Sequence, residues 1–552
     1  MNTYIKRILR THIKSIIMNF ILIGLLAILL VYQPIVVEKF ITELTENKEF
    51  KVLCEYTIFY LLITAGVFAV GYLGNTLSRK MAWKMTEMLK SILVDKVLSY
   101  DNSFYQKYNT GEMIELLEDD VDRLYDFFSD TLIQLCINIL TLIGTVYVIY
   151  RVSPFMGVFF LSFWGTVYIV IYCMQKKDDS PIYVARNMKS KVSGFYGEIY
   201  GSKMEICGYK KKNNIFEKLD SKLEKLKCCE MKSQNYLYRI WILVQTMYYI
   251  SIALAFCGGG LLVNKSLITV GQVYLIYSYC NLLKSPIEEL QYHFQNSATA
   301  LGSIRRLKQV FEYKTEVSDG ENILKNQVNK IHVHNVNHIY NGTKVLNNAE
   351  IEINAGNKVV ILGKSGAGKS TLVKLISKME ELQDGNIYFD EYEIRDLKIA
   401  SVRKQVLYIT ADSQIFSARL IDNITLFDSN VPKDMLVNWI EKLDVCNNVN
   451  CLKGKKIDEA LDTVIDEQYL SEGEKQLINI CRMFFTEKSV YILDEAMGKI
   501  TAELEERLWK LIDDFTSDRI VIYITHNSER LKNSNNVYKL TDGNLSKNIS
   551  NI

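Results

Sequence analysis

The sequence predicts two folds in one chain: an N-terminal all-α membrane domain of six helices with long cytoplasmic helical extensions, and a C-terminal α/β domain of the P-loop NTPase class. Three observations predict it. Six uncharged, mostly apolar runs (15–37, 56–78, 131–150, 152–175, 240–264 and 266–283) all fall before residue 290, and each approaches or exceeds the ~20 residues that cross a bilayer as a helix. The stretches 79–130 and 176–239 are rich in Lys and Glu at helical spacing and almost free of proline, so they read as helices continuing beyond the membrane. In the second half, Gly363-Lys364-Ser365-Gly366-Ala367-Gly368-Lys369-Ser370-Thr371 follows the apolar, β-branched run Lys358–Leu362 and precedes the helical run Leu372–Ile376. Strand, glycine-rich loop and helix stand in the order a phosphate-binding loop requires.

In chain order, Lys6, Arg7, Arg10 and Lys14 precede the first apolar run. That run is too long for a signal-peptide core and no small-residue cleavage site follows it, so it reads as a retained helix with its basic flank in the cytoplasm. The loops then alternate: Arg151 and Lys265 alone separate spans on one side, whereas the long charged stretches lie on the other. Six spans return the chain to the cytoplasm for its second half. The sequence is read as a membrane domain over 1–314, a polar linker over 315–327 and a nucleotide-binding domain over 328–552. With the first span starting at about residue 15, no N-terminal processing domain is expected, and a peptide cargo would be processed elsewhere.

Across 552 residues the net charge is only +2, and the basic residues are spread and balanced by acids, which argues against a nucleic-acid partner. Of eleven cysteines, Cys136, Cys173, Cys257 and Cys280 lie in membrane runs, and the adjacent Cys228 and Cys229 lack zinc-site spacing. Reduced, structural thiols are expected.

The loop's chemistry follows from its residues. Its glycines let the backbone wrap a phosphate, its amides and the helix N-terminus carry positive partial charge, Lys369 adds a full charge, and Ser370 offers an oxygen to Mg2+. Val490-Tyr491-Ile492-Leu493 is a buried-strand pattern that ends in two carboxylates, Asp494 and Glu495, an expensive placement unless they have work to do.

Further residues carry a resemblance: Phe104–Met113 followed by Asp119-Asp120-Val121, Ser285–Leu290, and Ala298–Leu307. With the P-loop, they make the sequence similar to the ATP-binding cassette (ABC) exporter family, as a half-transporter of six spans and one nucleotide-binding domain. The resemblance covers nearly the whole chain and implies a dimer in which short coupling helices at the loop tips, near Asn109–Met113 and Glu198–Glu205, pass motion between cassette and spans. It implies ATP and Mg2+ as ligands: Asp494 in the Mg2+ shell with Ser370, Glu495 as general base, Tyr340 as adenine platform, His526 as the switch histidine on the γ-phosphate, and Lys369 on the phosphates. Leu470-Ser471-Glu472-Gly473-Glu474-Lys475-Gln476 resembles the signature loop, whose Ser471 and Gly473 would cap ATP held by the other subunit.

Three departures from the family pattern involve four residues. Glu472 and Glu474 add negative charge to the signature loop, Ala411 stands where a Mg2+-contacting glutamine is usual (Gln414 follows three residues on), and Thr501 replaces an aspartate at the dimer interface. They suggest either a homodimer that has drifted or a heterodimer with another half-transporter, in which this chain's own signature loop caps a non-hydrolysing site. The leading expectation is ATP-driven transport across the cell membrane, with export as the direction; the alternative is a weakly hydrolysing membrane switch. The spans hold no charged side chain in their cores but carry Tyr147, Tyr168, Tyr248, Tyr249, Tyr274 and Tyr277, which suits an amphipathic peptide, lipid or drug-like cargo.

Overall fold

The computed structural model describes residues 2–46, 50–175, 181–340, 342–525 and 536–547. They form two compact units, one of Met1–Leu98 with Thr110–Glu312, the other of Ser99–Asn109 with Tyr313–Ile552.

The first unit is helical: α1 (Asn2–Thr11), α2 (Ile13–Thr45) and α3 (Phe50–Leu98). After α4 (Asn102–Lys107), which belongs to the second unit, come α5 (Thr110–Val152), α6 (Pro154–Gln175), α7 (Pro181–Gly201), α8 (Lys203–Gly208), α9 (Lys212–Asn264), α10 (Val270–Leu282) and α11 (Lys284–Phe311). Among the described residues α2, α3, α5 and α9 are long and apolar enough to cross a membrane. Ile28, Leu62, Phe68 and Ile143 stand exposed on them, an arrangement water would penalise and lipid tails accept. Two apolar runs are trimmed by local chemistry. Ser153 is extended, and Pro154, pre-set for a first helical turn, starts α6. Ser266 takes a positive φ and Thr269 closes a capping box with Gln272, so α10 begins only at Val270. The charged extensions are helices: α3 runs 49 residues and α9 runs 53 without a break. Inside α5, two π turns at Leu116–Asp120 and Phe127–Thr131 re-aim the helix. Asp120, fully buried, accepts from Ser303 Oγ at 2.7 Å and pairs with Arg123 and Arg306, which pins α5 to α11. The described cysteines are free thiols.

The second unit carries two sheets. β1 (Lys330–Tyr340), β2 (Thr343–Asn354), β4 (Asp384–Phe389) and β5 (Tyr392–Glu393) form an antiparallel sheet in the order β2-β1-β4-β5. β3 (Lys358–Leu362), β6 (Val406–Thr410), β9 (Val490–Asp494), β10 (Ile520–Thr525), β11 (Asn536–Thr541) and β12 (Asn544–Lys547) form the other, in the order β12-β11-β3-β10-β9-β6. β7 (Ala418–Arg419) and β8 (Val464–Ile465) make a small separate ladder. Strands β3, β6, β9, β10 and β11 run parallel. Their runs of Val, Ile and Leu are buried on both faces, as a helix-covered parallel sheet demands. Parallel register brings Leu362, Thr525, Asp494 and Thr410 to one carboxyl edge, where open α/β sheets place their ligands.

Residues 315–327, polar by composition, lie on this unit. Val317, Leu324 and Val328 are buried, and Ser318 bonds Glu381 through both its amide and its hydroxyl at 2.9 Å. The short segment Ser99–Asn109 joins them. Asp101, 2% exposed, caps α4 and accepts from Ser103 Oγ (2.7 Å), Phe104 N (3.4 Å), Glu316 N (2.6 Å) and Val317 N (3.0 Å). Phe104 packs among Tyr100, Tyr108 and Tyr313 with centroids 4.6–5.1 Å away. The short helix at the first loop tip is therefore Asn102–Lys107, a few residues before Asn109–Met113, because Asp101 supplies the cap there. At the second tip α8 follows the 198–202 stretch, with Met204 and Tyr209 exposed.

Candidate functional site

The P-loop leaves β3 at Leu362 and returns as α12 (Lys369–Ile376), with Gly368 as its N-cap at φ +99°. A Cβ at Gly368 would sit 2.7 Å from the Val345 carbonyl oxygen, so β2 lies over the loop and only glycine fits beneath it. Lys369 Nζ donates to the carbonyls of Gly363 (2.6 Å) and Lys364 (2.9 Å), which curls the ammonium into the cradle.

Across the parallel sheet, Ser370 Oγ donates to Asp494 Oδ2 at 2.9 Å, and the Tyr408 hydroxyl donates to the same oxygen at 2.8 Å. Burial, then the Asp494 carboxylate, drive the Tyr408 phenol well above its ordinary value, so it remains a donor. Sequence reasoning did not find Tyr408; its signal was one polar ring in the apolar strand Val406–Thr410. Glu495 follows in a left-handed backbone at φ +51°, its amide bonded to the Ile524 carbonyl. That conformation costs a non-glycine residue about 1–3 kcal/mol and turns Glu495 out of the line of β9. Lys369, Ser370, Asp494 and Glu495 thus meet at one sheet edge. The two oxygen donors, Ser370 and Asp494, suit a hard cation such as Mg2+.

Tyr340 ends β1, its ring 4.9 Å from that of His338. Burial, then Glu380, raise its phenol above the ordinary range. His526 lies outside the described residues.

In the segment Leu470–Gln476 both carboxylates have partners within the chain. Ser471 caps α13 (Glu472–Met483) in a capping box with Glu474. Glu474 folds back: Oε2 accepts from Ser471 N and Ser471 Oγ, both at 2.7 Å, and Oε1 from Asn450 N at 2.6 Å. Burial alone would raise this carboxyl, yet the bonds from Asn450 and Ser471 hold it below its ordinary value. Glu472 pairs with Lys475 at 3.1 Å and Lys499 at 3.3 Å, and these lysines lower its carboxyl. Both carboxylates are committed to the chain's own donors. Gly473 is required by crowding, since a Cβ there would meet the Lys499 carbonyl oxygen at 2.6 Å. Gln476, 1% exposed, donates to the Ala411 carbonyl (3.2 Å) and accepts from the Lys499 amide (2.9 Å). It fastens the backbone after β6 to the backbone after Glu495, a link the sequence hinted at only through a glutamine on a buried helical face. Gln414 is exposed. Thr501 N-caps α14 (Ala502–Phe515) through backbone geometry alone, without a side-chain cap bond.

The family profile described as ABC transporter matches residues 346–498, and that described as ABC transporter transmembrane region matches residues 16–287. The chain belongs to the ABC transporter family. It is a multi-pass membrane protein of that family, an ATP-binding, transport-coupled ATPase with a helical membrane domain followed by a β-containing nucleotide-binding domain. An uncharacterized ABC transporter ATP-binding protein of Bacillus subtilis is 22% identical over 505 residues, 89% of this chain and 82% of that protein. A protein named ATP-dependent lipid A-core flippase, from Syntrophus aciditrophicus, is 25% identical over 464 residues, 83% of this chain and 76% of its own length. The solved structure of a bacterial Atm1-family ABC exporter with ATP bound superposes with a TM-score of 0.80 at 17% identity, covering 97% of this chain and 94% of that one. At that identity the likeness speaks for the fold.

Proposed function

We propose that this ABC transporter is an exporter half that works as a homodimer, hydrolysing Mg2+-ATP to move an amphipathic substrate out across the membrane. The observation that carries it is the meeting of Ser370 and Asp494 at 2.9 Å on the sheet edge that holds the P-loop, with Glu495 next in the chain. Lys369 and the loop amides, Gly363 to Thr371, hold the phosphates, and Tyr340 is the adenine platform. Bound between Ser370 and Asp494, Mg2+ would neutralise phosphate charge. Glu495 takes the proton from the attacking water, and His526 contacts the γ-phosphate. Ser471 and Gly473 face ATP bound to the other subunit.

The homodimer is favoured over a heterodimer by the signature geometry. Glu474 and Glu472 are held by Ser471, Asn450, Lys475 and Lys499, so their charge is spent within the chain rather than set against a phosphate. The amphipathic cargo rests on the apolar spans and on relatives named as lipid A-core flippases.

The test is Mg2+-dependent ATPase activity of the purified chain in lipid, beside Glu495→Gln. The native chain is expected to turn over alone, and the variant to bind ATP with turnover lower by about 10²- to 10⁴-fold. A native chain that binds ATP and stays inactive until another half-transporter is added would refute the homodimer.

A further inference from the structure

We propose a transition-metal site, of the Zn2+ class, on the outer face of the antiparallel sheet, formed by His332, His334 and Glu350. Side chains two apart on a strand share a face, so His332 and His334 stand side by side on β1 with ring centroids 5.6 Å apart. Antiparallel pairing sets β2 against them: His332 faces Glu352, Val333 faces Ile351, and Glu350 reaches His334. One ligand atom from each of His332, His334 and Glu350 lies within 4.8 Å of the other two.

The decisive detail is at His334. Its ring is 46% exposed, yet Nδ1 is closed off from solvent, has no hydrogen-bond partner, and sits 3.6 Å from Glu350 Oε1. That gap is too wide for a hydrogen bond. It is close to the ~3.4 Å that separates a nitrogen and an oxygen bound to one tetrahedral zinc at about 2.1 Å each. The other nitrogen, Nε2, lies 3.3 Å from the Asn335 side-chain amide, whose carbonyl oxygen, turned toward the ring, accepts the Nε2–H that a metal on Nδ1 leaves in place, and Tyr388 stacks on His332 with an interplanar angle of 27°. Both rings therefore have neighbours that hold their orientation, as the outer contacts of metal ligands do. Glu352, the other carboxylate in the row, is taken by Lys330 at 2.9 Å, which leaves Glu350 as the oxygen donor. Two imidazoles and one carboxylate select zinc-like cations over Mg2+ or Ca2+. With three protein ligands on an open face, the fourth position goes to water and the ion is exchangeable. Such an ion would clamp β1 to β2, the hairpin whose far end carries Tyr340.

The test is direct titration of Zn2+ into tag-free, metal-stripped full-length chain in lipid nanodiscs, with X-ray absorption on the bound ion. The native chain is expected to bind a Zn2+ with a nitrogen and oxygen shell that the His332→Ala/His334→Ala double variant does not bind. Glu350→Gln, which leaves both histidines in place, is expected to weaken that ion by at least about tenfold. ATP affinity and metal-free melting temperature should match the native chain in every variant, which separates loss of ligands from loss of fold. Unchanged Zn2+ uptake in either variant, or a sulfur-dominated shell in the native chain, overturns the site.

Discussion

Glu474→Gln keeps the shape of the side chain and removes its charge, and two arguments predict opposite results. On charge alone, removing a carboxylate near ATP should strengthen capping and raise turnover. The geometry predicts a loss. Glu474 receives three bonds, two on Oε2 and one on Oε1, and a bond to a charged group contributes about 1.5–3 kcal/mol net. A glutamine has one carbonyl: if it serves Ser471, its NH2 faces the Asn450 amide, donor against donor. One strong bond is lost and a buried N–H is left unpartnered, a cost of about 2–4 kcal/mol. For a domain of this size that is a fall in melting temperature of roughly 4–16 °C. The pH dependence has a definite sign. The folded carboxyl lies below its ordinary 4.5, so its contribution is complete at pH 7 and is lost as pH falls through the folded value. The gap between native chain and variant should therefore be full at pH 7 and shrink below about pH 4.5. Thermal unfolding of both chains in nanodiscs across that range, beside ATPase activity at pH 7, is the assay. A variant that melts with the native chain, or hydrolyses faster, refutes the reasoning.

Other outcomes follow from particular contacts. Gly473→Ala forces its new Cβ off the Lys499 carbonyl, now 2.6 Å away, at about 1–3 kcal/mol; ATPase activity should fall while ATP affinity, set by the P-loop, holds, and a fall in affinity instead would place the fault elsewhere. Asp101→Ala strips acceptors from the Phe104, Glu316 and Val317 amides, costing about 2–4 kcal/mol. Limited proteolysis should then cut within 99–109 faster than in the native chain, and an unchanged rate would show that Asp101 does not hold the segment.

Much of the site was legible because its chemistry is local in the chain. Gly363 to Thr371 is one continuous cradle, and Asp494-Glu495 needs only a buried strand to present it. Charge signs were legible as well, but not their directions: Glu472 and Glu474 read as added negative charge in the loop, and a sequence does not show that Asn450, Lys475 and Lys499 stand ready to receive them. The first loop tip was displaced for the same reason, since Asp101 is capped onto by amides more than two hundred residues away.

What the sequence by itself determined was the division into apolar helices and an α/β cassette, because hydrophobic runs and strand-loop-helix order are short-range patterns that bilayer thickness and backbone geometry translate directly. Only the tertiary structure decided the partners: Tyr408 and Ser370 on one oxygen of Asp494, Gln476 across Ala411 and Lys499, and the His332, His334 and Glu350 cluster. These depend on strand order and register, which join residues far apart in the chain, and a polar side chain takes its role from the groups that burial brings to it.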